Sequence, residues 1–131
     1  QLDPAVFVLR LVPGMRADII PLLAPHYRAL VVESFGVGGL PGGEHGEMYA
    51  RLQDWCTSGR LAVFTTQVPH EGCDLAVYEV GRSVKELPGV LEAKDMTPEA
   101  VAVKLMWALG QTTDRAEAMR LFTTPVEWDI V

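Results

Sequence analysis

The sequence predicts a three-layer α/β fold, a parallel sheet with helices on both faces. Short apolar runs rich in Val, Leu and Phe alternate with stretches of helical periodicity, and such alternation builds parallel sheets through helical crossovers. The strand candidates are nearly continuous in apolar residues, as strands covered on both faces are. The chain has 131 residues, 49% hydrophobic and 21% charged, the balance of one packed domain rather than of a disordered, collagenous or coiled-coil chain. At that size folding removes roughly two-thirds of the unfolded surface from water, so one core needs no metal or disulfide.

The first strand candidate is Ala5-Val6-Phe7-Val8-Leu9-Arg10-Leu11, closed by Val12-Pro13-Gly14 and expected to be buried on both faces. Helical spacing follows over Arg16 to Leu23, with Ile19, Ile20 and Leu23 apolar; Pro21 weakens it by lacking an amide donor. Ala29 to Phe35 reads as a second buried strand and runs into the glycine-rich stretch Gly36 to Gly43. Met48, Leu52, Trp55 and Cys56 fall on one side of a helix over Glu47 to Thr57, ending near Ser58-Gly59. Leu61 to Thr66 is a third strand, and Gln67 to Asp74 a loop.

Tyr78 to Leu87 reads as a short helix stopped by Pro88-Gly89, and Val90-Leu91 as a brief fourth strand. Thr97-Pro98-Glu99 is a helix start: a capping hydroxyl, a proline in the first turn, then a carboxylate at the positive end of the helix dipole. That helix is expected to run to Leu109 and stop at Gly110. Leu105, Met106, Trp107 and Leu109 leave it apolar almost all round, so it is expected to pack on more than one side. Asp114 and Glu117 have capping-box spacing and open a last helix through about Arg120. No internal repeat or interdomain linker interrupts residues 1–131.

Eleven basic against seventeen acidic residues give a net charge of −6. Such a field repels nucleic-acid phosphates and anionic membranes, so neither is an expected partner. Cys56 and Cys73 read as free thiols of a reducing compartment, and the start Gln1-Leu2-Asp3-Pro4 has no basic leader. No apolar run reaches the roughly 20 residues needed to span a bilayer. A cytoplasmic location follows as the expectation, as does a piece of a larger protein, because no initiator Met is present.

No motif in the chain completes a catalytic set. Gly36-Val37-Gly38 begins like a dinucleotide loop, but Pro41 replaces the third glycine; Gly38 and Gly43 have P-loop spacing, but Glu44-His45 stands where Lys-Ser/Thr must bind phosphate. A mobile ligand-contacting loop at the carboxyl edge of the sheet is the preferred reading. Ser34 lacks the glycine two positions earlier that a nucleophile elbow needs, and reads as a buried strand residue. His70-Glu71-Gly72-Cys73-Asp74 has metal-ligand types, yet Pro69 and Gly72 argue against the helix that would bring them to one face; His26 and His45 have nothing to fix them nearby. Cys56, between Trp55 and Thr57, reads as a small core residue. No metal site is expected.

The order of segments is more specific than any single motif. Leu11-Val12-Pro13-Gly14-Met15, Ser34-Phe35-Gly36-Val37-Gly38, Thr65-Thr66-Gln67, Tyr78-Glu79-Val80-Gly81, Asp95-Met96-Thr97-Pro98-Glu99-Ala100 and Val103 to Gly110 follow one another. Over essentially the whole chain this series resembles the C-terminal domain of bacterial L-asparaginases, closest to the cytoplasmic type I branch. Its last helix also resembles the asparaginase-like subunit of a tRNA-dependent glutamate amidotransferase. The resemblance implies a four-stranded parallel sheet, no cofactor, and an amidohydrolase that turns asparagine into aspartate and ammonia through a threonine nucleophile and an acyl-enzyme intermediate.

The nucleophile, its tyrosine neighbour and a Thr-Asp-Lys group belong to the family's N-terminal domain. None of their motifs occurs here, so the chain alone is expected to be inert, with no catalytic residue of its own. Its expected partners are that N-terminal domain and further copies in a homodimer or homotetramer, where it completes a neighbouring subunit's pocket for L-asparagine. The pocket loop maps onto Gly36, Gly38 and Gly39, where Gly39 offers backbone instead of a polar side chain. An acidic contribution maps near Tyr78 and Glu79. Thr66 and Gln67 occupy the positions where some type I enzymes bind asparagine as an activator, but Glu33 stands where an arginine is expected and inverts the charge a carboxylate meets. Two other readings stay open at this point, the amidotransferase subunit and a non-enzymatic ligand-binding or interaction module.

Overall fold

A computed structural model of the chain describes residues 2–34, 40–42, 46–66, 82–93 and 96–124. Four strands, β1 (Val6–Arg10), β2 (Ala29–Ser34), β3 (Leu61–Thr66) and β4 (Val90–Glu92), form one parallel sheet in the order β1-β2-β3-β4. Between them lie α1 (Ile19–Leu23), α2 (Glu47–Thr57) and α3 (Arg82–Lys85), followed by α4 (Pro98–Gln111) and α5 (Arg115–Thr123). Right-handed crossovers that step the same way across a sheet must all lie on one face. Accordingly Ile20, Leu52, Trp55 and Val84 of α1 to α3 share one core with Leu30, Val32, Ala62 and Phe64. The other face needs its own cover, which α4 and α5 supply through Val101, Leu105, Ala108 and Phe122 against Ala29, Val31, Leu61 and Val63. Successive strand residues thus feed opposite cores, and the continuous apolar runs follow from this.

The sequence places α2 and β3 within their observed bounds; α3 ends at Lys85 rather than Leu87, β4 runs on to Glu92 and α5 to Thr123, and three larger differences have a physical cause. First, α1 begins at Ile19 rather than Arg16. Pro21 has no amide to donate, so the helix forms where that position falls in its first turn. Second, β1 is an edge strand: Val6 and Leu9 are buried, but Val8 is 40% exposed, so it is not buried on both faces. Third, Gly110 does not stop α4, which continues through Gln111 to a cap at Thr112. Gly110 is not among the positive-φ glycines, and the preceding Leu109 is held in the core, so the helix carries through it.

The helix starts follow their signals. Thr97 Oγ1 accepts the Ala100 amide at 3.1 Å with Pro98 at the first position of α4, and Asp114 accepts the Glu117 amide at 3.0 Å at the start of α5. Half of the capping box forms there, since the Glu117 carboxylate binds Arg120 instead of reaching back. As expected, α4 packs on two sides, the sheet and α5. Lys104, buried in that layer, donates to the Thr124 carbonyl at 2.9 Å and lies 5.5 Å from the Phe122 ring centre.

Helices antiparallel to the strands gather their carboxyl ends at the amino edge of the sheet, where their last carbonyls lack intrahelical partners. Three arginines meet them. Arg28, ahead of β2, donates to Leu109 O and Thr112 O at the end of α4 and pairs with Asp3 at 2.7 Å. Arg60, ahead of β3, donates to Ala24 O at 2.7 Å and Tyr27 O at 3.1 Å, beyond α1. Arg115 reaches from α5 to Cys56 O at 2.6 Å and Arg60 O at 3.0 Å. Each cation also opposes the negative end of a helix dipole. Trp55 completes this edge by donating from its indole to Leu61 O at 2.8 Å.

Candidate functional site at the carboxyl edge

Parallel α/β sheets present ligands at the carboxyl ends of their strands. Here β1, β2 and β3 end level with one another, Arg10 beside Glu33 and Ser34 beside Thr66. The ladder extends one step further at Leu11, whose amide donates to Glu33 O at 2.9 Å, and at Ala93, whose amide donates to Phe64 O at 2.9 Å.

The chain after β2 returns to this edge at Leu40, which is buried, and turns at Pro41-Gly42. Gly42 has a φ of +84°, and a Cβ on Gly46 would meet the Gly42 carbonyl oxygen at 2.6 Å. Two glycines are therefore required for this turn to lie against the amino end of α2. Between that turn and the one following β1 is an open cavity of about 460 Å³, lined by Met15, Arg16, Asp18, Gly42 and Glu47 among others. Arg16 pairs with Asp18 at 2.8 Å in the open, while Glu47 lies 3.7 Å from Arg51 within α2. The pocket thus presents charges of both signs, each already paired with a neighbour. Among the described residues it holds no nucleophile beside a base.

Among the residues singled out from sequence, Ser34 is buried and donates its hydroxyl to Thr65 O at 3.2 Å. That is a strand residue satisfied by backbone, as expected, and not an exposed nucleophile. Cys56 is fully buried, and desolvation pushes its thiol up to about 11, with the Arg115 charge opposing, so it stays protonated at neutral pH. Thr66 closes β3, which places its backbone at the carboxyl edge. Gly36, Gly38, Gly39, Gln67, Tyr78 and Glu79 lie outside the described residues, as do His45, His70 and Cys73. Among the described residues no three His, Cys, Asp or Glu side chains converge as metal ligands. None of the helices there is long and apolar enough to cross a membrane. The cavity residues Arg16, Asp18 and Glu47 were missed from sequence, because only folding brings the turns after β1 and β2 together. Pro41-Gly42 followed by Gly46 was the legible signal.

Residues 5–122 match the family model described as Glutaminase/Asparaginase C-terminal domain. The chain belongs to that family. Among curated proteins it is 37% identical over 130 residues to an L-asparaginase of Thermococcus kodakarensis, covering 99% of this chain and 39% of that protein. It is 38% identical over 125 residues to a subunit of the glutamyl-tRNA(Gln) amidotransferase of Metallosphaera sedula, covering 95% of this chain and 27% of that protein. The solved structure of the thermostable Thermococcus kodakarensis L-asparaginase superimposes with a TM-score of 0.80 at 37% identity, over 95% of this chain and 37% of that one. L-asparaginase I from Vibrio cholerae matches with a TM-score of 0.74 at 26% identity, over 95% and 36%. The four-stranded parallel sheet with helices on both faces is thus the asparaginase C-terminal fold. The chain spans less than two-fifths of the length of these relatives.

Proposed function

We propose that this chain serves as the carboxyl-terminal domain of an L-asparaginase, which hydrolyses L-asparagine to L-aspartate and ammonia. The observation that carries the reading is the 37% identity running through 99% of the chain, while the chain covers only 39% of the relative and leaves room there for a catalytic domain. The nucleophilic threonine and its activating group then belong to an amino-terminal domain. The present domain supports assembly, as a homodimer or homotetramer, and completes the substrate pocket of a neighbouring subunit. Residues Gly36, Gly38 and Gly39 after β2, with Tyr78 and Glu79, supply that completion, and their position in the sequence after strands accords with the carboxyl-edge rule. Thr66 and Gln67 are the corresponding effector positions, where Glu33 disfavours an activator's carboxylate. A cytoplasmic location accords with the cysteines and with this family branch.

The match to an amidotransferase subunit at 38% identity favours a second reading, an amide-releasing subunit acting with a charged tRNA. The charge of −6 weighs against it. Ammonia release from L-asparagine by the product of the complete open reading frame, with and without charged tRNA, separates the two. Hydrolysis independent of tRNA supports the asparaginase, and ammonia release from glutamine only with tRNA and a partner protein overturns it.

A further inference from the structure

The amino edge of the sheet, opposite the candidate site, carries a groove whose chemistry the asparaginase reading does not use. Two cavities adjoin there and share Ala24, Pro25, Ser58 and Arg60. One, of about 340 Å³, is polar and faces Arg28, Arg60 and Arg115. The other, of about 260 Å³, is mainly apolar: exposed Pro21 and the largely covered Ile20 and Trp55 line it, together with the ion pair of Arg51 and Asp54. Arg60 stands between them, its guanidinium 5.4 Å from the Trp55 ring centre.

The three guanidiniums are not consumed by the carbonyls they cap. A guanidinium has five N–H donors. Arg115 engages carbonyls through Nη1 alone, so Nε and Nη2 have no protein partner among the described residues. Asp3 balances Arg28, whereas no carboxylate among the described residues pairs with Arg60 or Arg115. Two such cations therefore line one hollow of a chain whose net charge is −6. In the apolar half, Arg51 is already paired with Asp54 at 3.1 Å, so its charge does not compete for the head.

We propose that this groove binds a small amphipathic organic anion, its carboxylate or phosphate head on Arg115 and Arg60 and a short unbranched apolar tail against Trp55, Pro21 and Ile20. Charge complementarity selects the head, because an anion gains charge-assisted bonds from guanidinium donors that no carboxylate among the described residues engages. The apolar half selects against free inorganic anions. Most ligand sites combine these same parts, an apolar hollow and a few placed polar groups.

Titration of the full chain with hexanoate, followed by NMR at the Trp55 indole and Arg115 Nε–H signals, tests this. Both signals are expected to move saturably, with affinity at least tenfold tighter than for acetate, inorganic phosphate or hexanol. Hexyl phosphate in place of hexanoate reports which head is preferred, and binding of either supports the proposal. Arg115→Gln is expected to weaken hexanoate at least tenfold. Because Arg115 also ties α2 to β3, Pro21→Glu provides an independent variant at an exposed position, and its carboxylate at the apolar wall is expected to weaken hexanoate equally. Absence of saturable shifts at both signals, affinity for acetate or hexanol equal to that for hexanoate, or unchanged affinity in Pro21→Glu overturns the proposal.

Discussion

Gly89→Ala is the sharpest test of how the amino edge is held. Gly89 has a φ of +81°, and a Cβ there would lie 2.7 Å from Arg60 O and 2.9 Å from Arg115 Nη1. The Arg60 carbonyl is backbone and also accepts the Arg115 bond, while Gly89 O accepts the Ala62 amide at 3.0 Å and starts the β3–β4 pairing. Neither side of the contact yields without breaking one of these bonds. Gly59 is the matched control: its φ is +98°, and nothing lies within 4 Å of the same added atom. The left-handed backbone costs both alanine variants about 1–2 kcal/mol, and the gain from a stiffer unfolded chain, about 0.4–1 kcal/mol, is common to both. Displacing Arg115 from Arg60 O adds the loss of that one charge-assisted bond, about 1.5–3 kcal/mol, so Gly89→Ala falls below Gly59→Ala by about 2–3 kcal/mol. Urea unfolding followed by circular dichroism reads this directly. With a slope of about 2 kcal/mol per molar urea, the two midpoints separate by about 1–1.5 M. Coincident midpoints would refute the claim that the arginine caps and the tight turn form one unit.

Three further outcomes follow from the same contacts. Trp55→Phe removes the buried indole bond to Leu61 O and is expected to cost about 1–3 kcal/mol in urea unfolding; a change below about 0.5 kcal/mol would show that the bond is not part of the core's stability. Desolvation raises the Asp3 carboxyl, but the Ala5 amide at 2.9 Å and Arg28 at 2.7 Å outweigh it and hold the group below its ordinary 3.8. That stabilisation is present above the unfolded value and fades as pH falls through the folded one, so the stability gap between wild type and Asp3→Asn should close as pH drops below 3.8; a gap independent of pH contradicts it. Cys56, buried with its thiol pushed up to about 11, should resist iodoacetamide at neutral pH in the native chain and react once urea unfolds it, as peptide mapping would report.

The alternation of strands and helices was legible because each element carries its own periodicity. In α2, Met48, Leu52, Trp55 and Cys56 are the buried residues, the same four that mark one helical face in the sequence. β2 reads as a strand covered on both faces, and its alternate residues do enter two cores. β1 has the same composition but lies at the edge, and composition does not distinguish an edge from a centre when one neighbour is missing. Local signals also misplaced helix ends where tertiary packing overrode them, as at Gly110, or where proline fixed the start, as at Ile19.

The amino-edge arginines were illegible for a different reason. Arg28 and Arg60 each precede a strand and Arg115 opens a helix, so no spacing relates them until three helix ends converge. At the carboxyl edge the sequence located Thr66 at the end of β3. It overlooked Arg16, Asp18 and Glu47, which meet across the cavity through two separate turns.

The central claim, that this domain belongs to an L-asparaginase whose nucleophile lies elsewhere, is tested most directly by ammonia release from L-asparagine. The chain alone and the product of its complete open reading frame are assayed side by side. The account predicts no rate above buffer for the chain alone and tRNA-independent hydrolysis by the complete product. Turnover by the chain alone, or none by the folded complete product, would contradict it.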